Sequence, residues 1–106
     1  MGSYLFKVSY SAEGLKGIAR EGAEHRVAFI GKMIEGLGGK LESFHFAFGD
    51  TDAFVIGEFP DDKTAAAVAM AVGASGTGSC ETVKLLTPAD VDEARAITTG
   101  YQPPGA

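Results

Sequence analysis

Alternation opens the chain. In Tyr4-Leu5-Phe6-Lys7-Val8-Ser9-Tyr10, aromatic and β-branched residues recur with period two, which predicts a first strand. After Ser11, a residue suited to cap a helix, the period changes. Leu15, Ile18, Ala19, Ala23, Ile30, Met33, Ile34 and Leu37 recur at helical spacing and predict a helix from Ala12 to Leu37. Gly14, Gly17 and Gly22 weaken its first half, because glycine is the poorest helix former after proline. Gly36-Leu37-Gly38-Gly39 supplies the C-cap and exit turn.

Period two returns between Lys40 and Phe59. The segment FHFAFGDTDAFVIGEF, Phe44 to Phe59, reads as two facing strands, about Lys40–Phe48 and Asp52–Phe59, closed by the acidic turn Gly49-Asp50-Thr51-Asp52. With Gly49 facing Asp52, Phe48 lies opposite Ala53, Phe46 opposite Val55 and Phe44 opposite Gly57. Each large residue then meets a small or branched one, as a helix-packed face requires. The other face pairs Ala47 with Phe54, His45 with Ile56 and Ser43 with Glu58. An even-numbered loop preserves this division and an odd one with a bulge reverses it.

Pro60-Asp61 ends the strand and caps a second helix, Asp62 to Ala74, rich in alanine and able to lie close to a sheet. The loop Gly73 to Gly78 is glycine-rich but follows a helix and precedes a strand, the reverse of the order a phosphate-binding loop needs. A fourth strand, Ser79 to Leu86, leads to Thr87-Pro88-Ala89-Asp90, which starts a short helix reaching Thr98. The tail from Gly100 to Ala106 is proline-rich and predicted to be extended. The order is βαββαβ plus a terminal helix in one domain spanning 1–106, an α+β ferredoxin-like sandwich with an antiparallel sheet. Such a sheet carries helices on one face, so the other face meets water, a partner or a ligand.

Composition narrows the partners. The chain has 106 residues, 45% hydrophobic and 22% charged, the balance of a folded domain. A net charge of −5 without any dense Lys/Arg run argues against nucleic acid. No apolar run reaches membrane-spanning length. The single cysteine, Cys80, permits no internal disulfide, and no charged-then-apolar leader opens the sequence, so a reducing cytoplasmic setting is the expectation. No spacing of His25, His45 and the aspartates matches a metal-ligand motif, and no cofactor is expected.

Among chemical candidates Arg26 stands out by arithmetic. At 100° per residue it falls about 20° from Leu15, amid Ala19, Gly22, Ile30 and Met33 on the apolar arc. A guanidinium there either snorkels to the rim, pairs with Asp50 or Asp52, or receives an anionic ligand. His45 is fixed in direction by a strand and has Glu58 diagonally near it in the predicted register; such a pair moves a proton or simply forms a rim contact. Asp50 and Asp52 either serve turn geometry, since Asp accepts backbone hydrogen bonds in such turns, or hold Arg26. Tyr10, at a strand end, lines a pocket mouth or an edge. Phe54 and Ile56 share a face with His45 and Glu58, and the cost of leaving them in water points to a subunit contact.

Several separated motifs agree in order with a known family. The opening Tyr-Leu-Phe-Lys-Val-Ser-Tyr, Gly38-Gly39-Lys40-Leu41-Glu42, the FAFGD-x-D turn at Phe46–Asp52, Leu85-Leu86-Thr87-Pro88 and the closing Tyr-Gln-Pro-Pro-Gly together resemble the GYD domain family of small bacterial proteins, over nearly the whole chain. The resemblance implies a ferredoxin-like fold similar to dimeric α/β-barrel proteins, and no established activity. Thr51 stands where the family's turn typically carries a tyrosine, so no role of that phenol carries over. Kinship to barrel monooxygenases and isomerases is analogy of fold alone.

Three functions follow as expectations. The first is a homodimer or higher homo-oligomer, closed through its sheets, that binds a small anionic or aromatic molecule between sheet and helix. There Arg26 supplies charge and His45 polarity, while Tyr10 and Phe54 shape the pocket. The second is a cofactor-independent proton-transfer enzyme, isomerase or monooxygenase-like, with His45 as base and Glu58 orienting it. The third is a structural assembly protein without ligand.

Overall fold

A computed structural model describes residues Met1–Ala106. The elements are β1 (Gly2–Tyr10), α1 (Ala12–Glu21), α2 (Ala23–Gly36), β2 (Lys40–Phe46), β3 (Ala53–Phe59), α3 (Asp62–Ala74), β4 (Gly78–Leu85) and α4 (Pro88–Ala94). The four strands form one antiparallel sheet in the order β2-β3-β1-β4. The expected α+β fold is therefore present, in an arrangement compatible with the ferredoxin-like sandwich.

Strand parity divides the sheet. Tyr4, Phe6 and Val8 of β1 and Ala53, Val55 and Phe59 of β3 are buried beneath the helices, joined by Ile34 of α2 and Ala65 of α3. Phe59 is fully buried and receives the edges of Tyr4 and Phe6, whose ring centroids lie 5.8 and 5.7 Å away. Edge-to-face packing of this kind suits the aromatic quadrupole and adds to the apolar burial. The Tyr4 hydroxyl escapes the core by donating to Asp62, while Lys84 Nζ donates to it at 3.2 Å and lies 3.5 Å from the Asp62 carboxylate. This cluster fixes the start of α3 to the ends of β1 and β4.

The long predicted helix is two helices. Gly22 adopts φ +92°, a conformation costly for residues with a Cβ, and breaks the chain between α1 and α2. The helical phase does not run through the break, and Leu15 and Leu37 remain 42% and 40% exposed rather than entering the core. At its start α1 is pinned to the α3–β4 connection: Ser11 N and Oγ donate to Thr77 O and Gly76 O at 3.0 and 2.9 Å. Gly14 then passes so close that a Cβ on it would stand 2.0 Å from Thr77 O.

The hairpin keeps the predicted faces and loses the predicted pairs. Phe46 lies opposite Ala53, His45 opposite Phe54, Phe44 opposite Val55 and Ser43 opposite Ile56. Residues 47–52 all belong to the connection, so pairing is displaced by two positions and parity survives. Phe48, expected opposite Ala53, is instead 80% exposed in the loop. Beyond Ser43 a bulge at Glu42 restores contact through Leu41 with Gly57. At the other end of the molecule α4 stops at Ala94 rather than Thr98. Its start is as predicted, with Thr87 Oγ1 accepting from Asp90 N and Asp90 Oδ2 accepting from Thr87 N, both at 3.0 Å.

Candidate functional site

Between the helix-facing side of the sheet and α1, α2 and α3 lies an open cavity of about 540 Å³. That volume falls within the range of small-molecule pockets, roughly 300–1,000 Å³. Its floor is Phe6, Val8, Phe44 and Val55; Ile30 and Met33 of α2 face Val68 and Val72 of α3 across it. Phe6, Val8 and Val55 are nearly closed off at this floor, while half-buried Phe44, Ile30 and Met33 give the cavity its open apolar surface.

Its polar groups collect near the break between α1 and α2. Arg26 Nε donates to Glu21 Oε1 at 2.7 Å, and its guanidinium carbon sits 5.3 Å from the centroid of Phe29, itself 53% exposed. Glu21 is also 4.0 Å from His25 Nε2. Arg26 therefore lines the cavity as its apolar arc predicted, but its partner is Glu21, not Asp50 or Asp52. The Tyr10 side chain lines the same cavity. Burial pushes its phenol above the ordinary tyrosine range; the nearby Arg26 opposes this and Asp52 and Glu21 reinforce it, so the hydroxyl keeps its proton at neutral pH. Cys80 lines the wall. Burial raises its thiol, which contacts Thr82 Oγ1 at 3.7 Å, so it keeps its proton at neutral pH.

Other expected site residues lie elsewhere. Asp52 is occupied as a turn residue: its Oδ2 accepts from Tyr10 N at 2.8 Å, its N donates to Val8 O at 2.8 Å, and its carbonyl accepts from Ala47 N at 2.7 Å. The Asp50 carbonyl accepts from Ser9 Oγ at 2.7 Å. Together these bonds tie the β2–β3 loop to the end of β1; the Asp52 carboxylate takes the turn role, Asp50 contributes only its backbone carbonyl, and Asp52 reaches the cavity only by steadying Tyr10. Phe54 and His45 point from the opposite face of the sheet, so neither joins Tyr10 and Arg26. His45 and Glu58 are also apart. His45 pairs with Phe54 and Glu58 with Lys40 and Ser3, four positions further along β3, or about 13 Å at strand rise. The displaced register is the reason: the diagonal contact required His45 opposite Ile56.

Glu21 was the residue sequence reasoning missed. In a continuous helix a residue five positions before Arg26 points about 140° away from it. The break at Gly22 brings the two side chains together, and Gly22 was the signal available in the sequence. On the open face of the sheet a second concavity, about 720 Å³, lies between α4 and the strand ends and is lined by Ile56, Glu58, Leu85 and Ile97 among others. No helix is long and apolar enough to cross a membrane.

An antiparallel four-stranded sheet with α1, α2 and α3 on one face and a cavity beneath them defines a ferredoxin-like α+β domain. The chain belongs to the GYD domain family, whose family model matches residues 4–94. Comparison with curated proteins and with solved structures gave no match.

Proposed function

We propose that this GYD domain protein is a homo-oligomeric small-molecule-binding protein whose ligand, partly apolar and anionic, sits between the sheet and the helices. The observation that carries the reading is the cavity itself, with an apolar floor and a polar corner at which Tyr10, Glu21 and Arg26 come together. A few convergent polar groups on an apolar lining are what orient and select a small ligand. Arg26 supplies the charge. Proton transfer by His45 with Glu58 lacks geometric support, because the register separates the two side chains.

Self-association is supported from the other face. The open face carries an unbroken apolar row, Ile56–Leu5–Val83, across β3, β1 and β4, flanked by a row holding His45, Phe54, Lys7 and Glu81. A second copy laid sheet to sheet covers that row.

The binding half is tested with 8-anilinonaphthalene-1-sulfonate, an apolar anion. It should raise the Tm of the wild type, and Arg26→Leu should abolish most of that rise. An equal rise in both proteins removes Arg26 from the site.

A further inference from the structure

Arg26 already holds a carboxylate within the cavity, that of Glu21, and this internal pair describes the ligand. The guanidinium has five N–H donors. Only Nε–H is engaged, with Glu21 Oε1 at 2.7 Å, and neither Nη group has a protein acceptor. The Tyr10 hydroxyl faces the same cavity without a protein partner; only its backbone N–H is bonded, to Asp52. The remaining neutral polar groups of the lining are engaged: Ser75 Oγ with Val72 O and Thr77 Oγ1, and the Cys80 thiol with Thr82. The free donors at the polar corner are therefore the two Nη groups and the Tyr10 hydroxyl, and together they suit an acceptor with a planar, two-oxygen edge, the role that the Glu21 carboxylate fills on Nε.

Charge fixes the valence. Arg20 and Arg26 line the cavity together with Glu13 and Glu21, so the lining is balanced before a ligand arrives. A monoanion that takes over the place of Glu21 on Arg26 leaves that balance within one charge, whereas a dianionic phosphate exceeds it. Glu21 is the last residue of α1 and precedes Gly22, whose φ of +92° makes a joint at which the Glu21 end of α1 is attached to α2. The opposite end of α1 is fixed through Ser11 to Gly76 and Thr77. Withdrawal of the Glu21 side chain thus leaves the anchorage of the helix intact.

Resting on the reading of this cavity as a ligand site, we infer that its ligand is a monocarboxylate with an apolar body, and that Glu21 competes with the ligand carboxylate for Arg26. Glu21 is in this sense a specificity-determining residue. It weakens binding of the cognate acid and keeps the guanidinium paired when no ligand is present.

The experiment compares naphthalene-2-carboxylate with its neutral counterpart, 2-naphthamide, by isothermal titration calorimetry on the wild type, Glu21→Gln and Arg26→Gln. The wild type should prefer the carboxylate by roughly tenfold or more, the worth of a charge-assisted hydrogen bond. Glu21→Gln should tighten the carboxylate by about fivefold, the upper end for releasing an ion pair whose side chains are 32% and 29% exposed, and leave the amide unchanged. Arg26→Gln should bring the two probes to parity. Arg26→Lys serves as the second variant: it keeps the charge and should retain part of the preference. Equal binding of acid and amide to the wild type overturns the carboxylate assignment while the ligand site stands. An unchanged carboxylate affinity in folded Glu21→Gln overturns the competition. Binding of neither probe overturns this inference together with the proposed function.

Discussion

Phe54 offers the most direct test of the open sheet face. It is 36% exposed in the single chain, opposite His45 on one side and Lys7 on the other. For a phenylalanine of about 200 Å² that fraction is about 70 Å², worth about 1.8 kcal/mol when removed from water. A two-fold sheet-to-sheet contact counts it twice, about 3.5 kcal/mol, or a several-hundredfold change in Kd. Phe54→Ala should raise the dimer Kd by up to that factor, as measured by sedimentation equilibrium over a wide concentration range. Its circular dichroism should remain that of the folded chain, because Phe54 faces away from the core formed around Phe59 and Ile34. Met70→Ala is the control: Met70 is 74% exposed on α3, in the helix layer, and its loss should leave Kd unaltered. A wild type that sediments as a monomer at every concentration refutes the reasoning. So does Phe54→Ala with the wild-type Kd.

Two further outcomes concern the frame around the site. Gly14→Ala should destabilise by about 1–3 kcal/mol in urea unfolding, since the added methyl meets the Thr77 carbonyl at 2.0 Å and α1 must lift from the α3–β4 connection. Gly17→Ala, with nothing within 4 Å of its added Cβ, should instead gain up to about 1 kcal/mol from helix propensity, so opposite signs three residues apart are the check. The hydrogen bond from Tyr4, and then Lys84, holds the Asp62 carboxyl below its ordinary value of 3.8. A depressed folded-state pKa adds stability above that ordinary value and loses it as pH falls toward the folded one. The wild type should therefore lose stability below about pH 4 more steeply than Asp62→Asn, as followed by thermal melts at pH 3 to 6. Equal slopes would remove the Tyr4–Asp62–Lys84 cluster from the acid response.

The sheet was legible because alternation is local. Tyr4, Phe6 and Val8 declare a buried face through sequence alone, and the even parity of the hairpin survives any error in loop length that is a multiple of two. That tolerance is also why register was not legible. Nothing in Phe44–Phe59 distinguishes Phe48 opposite Ala53 from Phe46 opposite Ala53, since both place a phenylalanine over an alanine on the core face. The choice is made by contacts distant in sequence: Asp52 N to Val8 O, Asp52 Oδ2 to Tyr10 N, and Ser9 Oγ to Asp50 O, all of which pull the turn residues away from β2 and onto the end of β1. A two-residue error leaves the fold unharmed but dissolves a proposed His45–Glu58 pair, because a side-chain pair depends on register and a face does not.

Arg26 shows the converse. The helical wheel placed it on the apolar arc correctly, with Ile30 and Met33 of its own helix, though the wheel was drawn through a break. Only residues after Gly22 share its phase, so Leu15 has no bearing on its position, and Glu21 reaches it because phase is lost. Glycine at position 22 thus has a consequence beyond weakening a helix: it permits the φ of +92° that folds the last carboxylate of α1 onto the arginine of α2. The same break keeps α1 from packing as a continuous rod with α2. Ile18, half-buried, borders the cavity above the sheet floor of Phe6, Val8 and Val55. A residue that restores helical φ at position 22 should therefore remove the Glu21–Arg26 pairing, since a continuous helix sets the two side chains about 140° apart.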